Sequence, residues 1–204
     1  MKPWIFRISI VLNILVLVVA LLAWFNRDVA IGMVLDEFYA LKTSFYDSYP
    51  LRSTDVVMLG DSITDGGRWE EIFPAISIKN RGIPGDTTTG VLARMEHIVA
   101  AKPAAVFLKI GTNDLTHGPE RAVSYQQYRQ IITTIQSASP ATDIYVQSVL
   151  PRGVEFKEEV EAYNGEIRAM ADELNVTYID LYPAFLAEDG SLRDELTRDE
   201  VHLT

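Results

Sequence analysis

The chain has 204 residues, 48% of them hydrophobic and 23% charged, with no cysteine. This excludes a disordered, collagenous or low-complexity protein, and it excludes disulfide staples, thiol nucleophiles, thiolate metal sites and a lipid-modified cysteine. The 18 basic against 28 acidic side chains give a formal net charge of -10, so no nucleic-acid partner is expected.

The N-terminal run Ile8 to Phe25, ISIVLNILVLVVALLAWF, has Ser9 and Asn13 as its polar residues. As a helix it spans roughly 27 Å, close to one hydrocarbon core. Trp4 and Trp24 sit near its ends and Lys2 and Arg7 precede it, which predicts a transmembrane helix with a cytoplasmic N-terminus. Small residues at paired cleavage positions are missing just after the run, favouring a retained anchor over a cleaved signal peptide. Residues 1–28 are thus expected to be an anchor or signal segment, with the rest of the chain outside the cytoplasm, or secreted if the leader is cleaved. Val34, Phe38, Leu41 and Phe45 then mark one apolar helical face, so 29–50 reads as an amphipathic juxtamembrane helix that packs on the domain or lies on the membrane.

Residues 51–204 alternate short apolar runs with helical periodicity. Strands are predicted near Val56 to Leu59, Ile76 to Lys79, Ala105 to Ile110, Ile144 to Val149 and Val176 to Ile179. Helical faces are marked by Val91, Leu92, Met95, Ile98 and Val99; by Val123, Tyr128, Ile131, Ile132 and Ile135; and by Val160, Tyr163, Ile167, Met170 and Leu174. Strands apolar almost throughout need cover on both faces, which predicts an α/β fold, a three-layer α/β/α sandwich with a five-stranded parallel sheet. Ligands in such sheets bind at the carboxyl ends of the strands, so the loops there should carry the chemistry.

Those loops hold Gly60-Asp61-Ser62-Ile63-Thr64-Asp65-Gly66-Gly67 after the first strand, Asn80-Arg81-Gly82-Ile83-Pro84-Gly85-Asp86-Thr87 after the second and Gly111-Thr112-Asn113-Asp114 after the third. The chain closes with Asp199-Glu200-Val201-His202. Each taken alone reads as a turn, a helix cap or solvated surface. Together and in this order they resemble the four signature blocks of the SGNH, or GDSL-type, esterase and lipase family, over roughly Asp55 to the C-terminus. The resemblance implies a flavodoxin-like SGNH fold and a serine esterase that cleaves carboxylic esters through an acyl-enzyme. By position, it implies that Ser62 is the nucleophile, that Asp199 and His202 complete a triad, and that Gly82 and Asn113 act with Ser62 as oxyanion donors. Its members usually continue past the histidine with a packing helix. That helix is expected to be lacking after Thr204, which would leave His202 on a terminus prone to fraying unless Val34 to Phe45 packs in its place.

The residue types suit the chemistry in their own right. A serine hydroxyl needs a base within hydrogen-bond reach, imidazole titrates near neutrality, and a carboxylate fixes the imidazole tautomer. Backbone N–H groups and an asparagine amide can receive the developing oxyanion. His117 has no carboxylate partner by spacing, and His97 should face solvent. Asp61, Asp65 and Asp114 are expected to cap helices and brace loops. The three histidines lack ligand spacing, so neither metal nor cofactor is expected. The expected substrate is a small-molecule, lipid or acylated-sugar ester. Two rivals stay open: an acyltransferase using the same serine, and a membrane-tethered binding module whose Gly60–Gly67 loop cradles an anion.

Overall fold

The computed structural model describes the backbone of residues 3–204; the side chains of 3–12, 14, 15, 23 and 25–31 lie outside the described set. Two compact units divide the chain, Met1–Ala40 and Leu41–Thr204. The first unit is helical from Pro3 onward, and the helix, α1 (Pro3–Ser48), runs on into the second. It crosses the expected boundary between 1–28 and 29–50 as one helix. Lys2 lies outside the described residues. Among the described residues no helix is long and apolar enough to cross a membrane. The expected transmembrane helix is therefore without structural support.

The second unit is built on five parallel strands, β1 (Val56–Gly60), β2 (Ile78–Gly82), β3 (Ala105–Lys109), β4 (Asp143–Gln147) and β5 (Thr177–Ile179), in the order β2-β1-β3-β4-β5. Gly60 lies level with both Gly82 and Lys109, so the loops leaving β1, β2 and β3 emerge side by side. The chain runs from β1 outward to β2 and then back across to β3, which makes the β1/β3 boundary the switch point where such sheets bind ligands. Between the strands lie α2 (Ser62–Asp65), α3 (Trp69–Ile72), α4 (Thr88–Ala93), α5 (Met95–Ala101), α6 (Asp114–His117), α7 (Arg121–Ala138) and α8 (Lys157–Glu173), and α9 (Tyr182–Phe185) follows the last strand.

The core follows the apolar periodicity. Tyr128, Ile131, Ile132 and Ile135 of α7 and Val160, Tyr163, Ile167 and Met170 of α8 are buried with Val57, Leu59, Val106, Leu108 and Val146 of the sheet. Two expectations shift. The second strand starts at Ile78 and takes in Asn80 and Arg81, while Ile76 stays exposed. Val34, Phe38, Leu41 and Phe45, the expected packing face, are also exposed. The buried side chain of that stretch is instead Tyr46, on a neighbouring face with Lys42.

Candidate active site

Ser62 opens α2 two residues beyond the end of β1. Asp61 caps that helix, its Oδ1 accepting from the Ile63 N–H at 3.0 Å. Burial pushes the Asp61 carboxyl up, opposed first by the buried Lys109. Gly60 must be glycine: a Cβ there would lie 2.2 Å from the Lys109 carbonyl oxygen and 2.3 Å from Thr64 Oγ1. The serine is thus delivered at a close strand-to-helix turn.

The C-terminal segment meets it. Ser62 Oγ lies 2.9 Å from His202 Nε2, and His202 Nδ1 lies 2.7 Å from Asp199 Oδ2. With Nδ1–H donating to the carboxylate, Nε2 is left to accept from the serine hydroxyl. Asp199 Oδ1 also accepts from the backbone N–H groups of His202 at 2.8 Å and Val201 at 3.2 Å. Glu200 adopts a left-handed φ of 65°, tightening the turn that brings carboxylate and imidazole together. Hydrogen bonds from the His202 backbone and ring hold the Asp199 carboxyl down at about 2. The segment expected to fray is tied back. Thr197 and Leu203 form an antiparallel bridge, Thr197 Oγ1 donates to the His202 carbonyl at 2.9 Å, and the Thr204 N–H donates to the Leu196 carbonyl at 3.1 Å.

The second-strand loop departs from expectation. The Gly82 N–H, expected to face an oxyanion, donates instead to Asn80 Oδ1 at 2.9 Å, so it is already engaged. Gly82 serves close packing: a Cβ would lie 2.2 Å from the Asp65 nitrogen and 2.8 Å from the Asp61 carbonyl oxygen, both in the turn that carries Ser62. Further along, Ile83-Pro84-Gly85-Asp86 closes a turn through Asp86 N–H to the Ile83 carbonyl at 3.1 Å, with Gly85 at φ 78°. The Gly85 N–H makes no backbone hydrogen bond among the described residues. Asn113 adjoins this turn, its Nδ2 donating to the Asp86 carbonyl at 2.8 Å. A primary amide has two donors, and one bond of this kind leaves the other available.

Several residues that spacing gave no reason to single out hold these loops. The Asn80 amide donates to the carbonyls of Thr64 at 3.0 Å and Asp65 at 2.9 Å while its oxygen takes the Gly82 N–H, pinning β2 to the serine turn. Arg152, buried after β4, donates to the Thr112 carbonyl at 3.0 Å and Thr116 Oγ1 at 2.7 Å, on either side of Asn113. Arg94 binds Asp86 Oδ2 at 2.9 Å and the Gly60 carbonyl at 3.1 Å, joining the first two loops from beneath. Asp114 braces as expected, accepting from the Thr88 N–H at 3.2 Å and Ser124 Oγ at 2.8 Å. His117 ends α6, and no carboxylate pairs with it among the described residues. Among the described residues no group of three or more His, Asp or Glu side chains is placed to hold a metal ion.

Known proteins place this architecture in a class. The GDSL-like Lipase/Acylhydrolase family profile matches residues 58–204, and the chain belongs to that family. Rat platelet-activating factor acetylhydrolase IB subunit alpha1 is 28% identical over 163 residues, which cover 75% of this chain and 69% of the rat protein. Among solved structures, a GDSL-like lipase from Bacteroides thetaiotaomicron superposes with a TM-score of 0.70 at 22% identity, covering 81% of this chain and 89% of its own. A member of the lipolytic G-D-S-L family from Veillonella parvula gives 0.61 at 23% identity, covering 74% and 89%. The chain is accordingly an ester-hydrolysing enzyme.

Proposed function

We propose that the protein is a serine esterase working through an acyl-enzyme on Ser62, with His202 as base and Asp199 as its orienting carboxylate. The observation that carries this reading is the unbroken contact series from Ser62 Oγ through His202 to Asp199 at 2.9 and 2.7 Å. In the first half-reaction Ser62 Oγ attacks the acyl carbon as His202 Nε2 takes its proton. The tetrahedral anion collapses, and the leaving alkoxide receives that proton from the imidazolium. Water then attacks the acyl-enzyme with the same base assisting, and the acid product leaves. Asp199 stabilises the imidazolium in both halves without itself accepting the proton.

The oxyanion donors we assign are the Ser62 N–H, the free N–H of the Asn113 amide and the Gly85 N–H. Gly85 replaces Gly82 because the Gly82 hydrogen is already donated to Asn80. Substrates are small-molecule, lipid or acylated-sugar esters, and an alcohol attacking the acyl-enzyme in place of water would make the same serine that of an acyltransferase. The testing experiment uses short-chain p-nitrophenyl esters. Wild type should show a burst and Ser62→Ala and His202→Ala should each abolish turnover. The double variant should be little worse than either, because residues acting as a unit are non-additive. Asn113→Ala should lower kcat by about 10² to 10³ with KM nearly unchanged. Full turnover by Ser62→Ala would sink the reading.

The location outside the cytoplasm belongs to this proposal too, and its support is the sequence alone: Lys2 and Arg7 before the apolar run. A reporter fused after Thr204 and active only in the cytoplasm would overturn it.

A further inference from the structure

Lys42 and Tyr46 stand one turn apart near the C-terminal end of α1, outside the stretch 58–204 that matches the family. Tyr46 is 2% exposed. Its hydroxyl donates to the Gly82 carbonyl at 2.7 Å. Its ring centroid lies 4.5 Å from the Arg81 guanidinium carbon, 6.0 Å from that of Arg94 and 5.6 Å from the His97 ring. Lys42 Nζ pairs with Asp65 Oδ1, and Asp65 is three residues past Ser62 on α2. One helix end therefore grips both the element carrying the nucleophile and the peptide after β2.

What the Tyr46 hydroxyl holds is the base of a short lever. The Gly82 N–H is fixed by Asn80, and the next N–H, of Ile83, donates to the Gly60 carbonyl at 3.1 Å. From that peptide springs the turn Ile83 to Asp86, which presents Gly85 and whose Asp86 carbonyl receives the Asn113 amide. Arg94, facing the Tyr46 ring, holds the far end of the same turn through Asp86. The phenol thus closes the first link in a series that ends at two oxyanion donors. A buried tyrosine needs a partner for its hydroxyl wherever it sits. Here the partner is a carbonyl whose placement sets catalytic groups.

We propose that Tyr46, aided by Lys42, is a positioning residue for ester hydrolysis: it fixes the Gly82 peptide and, through it, the Gly85 and Asn113 donors relative to Ser62. This rests on the site reading given above. Catalytic groups misplaced by as little as 1 Å cost about 10²-fold in rate, so a slackened tether should show in the chemical step. Tyr46→Phe removes one oxygen and keeps the ring against Arg81 and His97.

The test measures kcat, KM and melting temperature for wild type, Tyr46→Phe and Lys42→Gln on p-nitrophenyl acetate. It also measures inhibition by a trifluoromethyl ketone, whose serine adduct carries the tetrahedral oxyanion. Tyr46→Phe should lose about 3- to 30-fold in kcat with KM within about twofold, and the ketone's Ki should rise by the same factor as kcat/KM falls. Loss of packing alone would lower the melting temperature without that parallel. Should Tyr46→Phe fail to fold, Lys42→Gln, altered at a half-buried surface position, should show the same pattern at smaller size. Wild-type kcat and Ki in the folded variants overturn the proposal. A Ser62→Ala control keeps the two readings apart: retained activity there refutes the nucleophile assignment, while the tether stands or falls on whether the folded Tyr46→Phe and Lys42→Gln variants differ from wild type.

Discussion

At the scale of single residues, His97 illustrates what spacing alone misses. Its neighbours on α5, Met95, Ile98 and Val99, suggest a solvent-facing imidazole, yet it is half-buried against Tyr46, and its Nε2 is buried without a hydrogen-bond partner among the described residues. Burial first, then the positive charges of Arg94 and Arg81, hold the imidazole down at about 4, with Asp47 pulling the other way. An unfolded histidine titrates near 6.5. Between those values the unfolded chain binds a proton that the folded chain refuses, so stability is unaffected above about 6.5 and falls as the pH drops toward 4. His97→Phe removes the titration and breaks no hydrogen bond. Urea unfolding at pH 7 and pH 4.5 should show wild type losing more stability than His97→Phe across that interval, and equal losses would refute the assignment. The same scale explains the two glycines of the second loop. Gly82 and Gly85 look equivalent in Asn-Arg-Gly-Ile-Pro-Gly-Asp, because sequence does not say which N–H a side chain two residues away will take. By contrast Ser62, Asp199 and His202 stand in blocks distinctive enough to be singled out, and folding brings them within hydrogen-bond reach.

At the scale of elements, legibility follows length and periodicity. The long helices α7 and α8 bury most positions their apolar spacing marks, Val123 being exposed near the start of α7 and Leu174, just past the end of α8, partly buried. The stretch from Val91 to Val99 reads as one helix and is two, broken at Arg94, whose side chain turns inward to Asp86 and the Gly60 carbonyl. A strand that spends residues on the site loses its apolar signature: β2 contains Lys79, Asn80 and Arg81, so its apolar reading begins two residues early, at Ile76. The four-residue helices α2, α3, α6 and α9 are too short for any periodicity to reveal. Three of them follow strands directly or through a short turn, and α2 and α6 flank the candidate site, where local geometry is set by capping, close backbone approach and long-range hydrogen bonds. The helix end at Lys42 and Tyr46 belongs with these. Its apolar stripe points to Val34, Phe38, Leu41 and Phe45, yet the contacts that matter are a phenol on a carbonyl and an ammonium on a carboxylate.

At the scale of the whole molecule, the second compact unit, Leu41–Thr204, takes in residues 41–50, which the sequence places in a separate juxtamembrane helix. The difference is physical. Tyr46 covers Arg81, which is 3% exposed and donates to the Tyr49 carbonyl at 2.9 Å, and it lies against Arg94, also buried. Removing residues 41–50 would strip an aromatic ring and a backbone acceptor from two guanidinium groups that the fold keeps from water, and buried cations without partners are costly. Loss of a buried large aromatic alone costs about 3 to 5 kcal/mol, which in a domain of this size lowers the melting temperature by roughly 10 °C. A chain comprising residues 41–204 should therefore melt at the temperature of the full-length catalytic unit and hydrolyse p-nitrophenyl acetate with the same kcat. A chain comprising 51–204 should melt about 10 °C lower or more and lose most of its turnover. Calorimetry and initial rates on the two chains side by side decide the matter: if 51–204 matches 41–204 in both, the end of α1 is an appendage and the unit begins no earlier than residue 51.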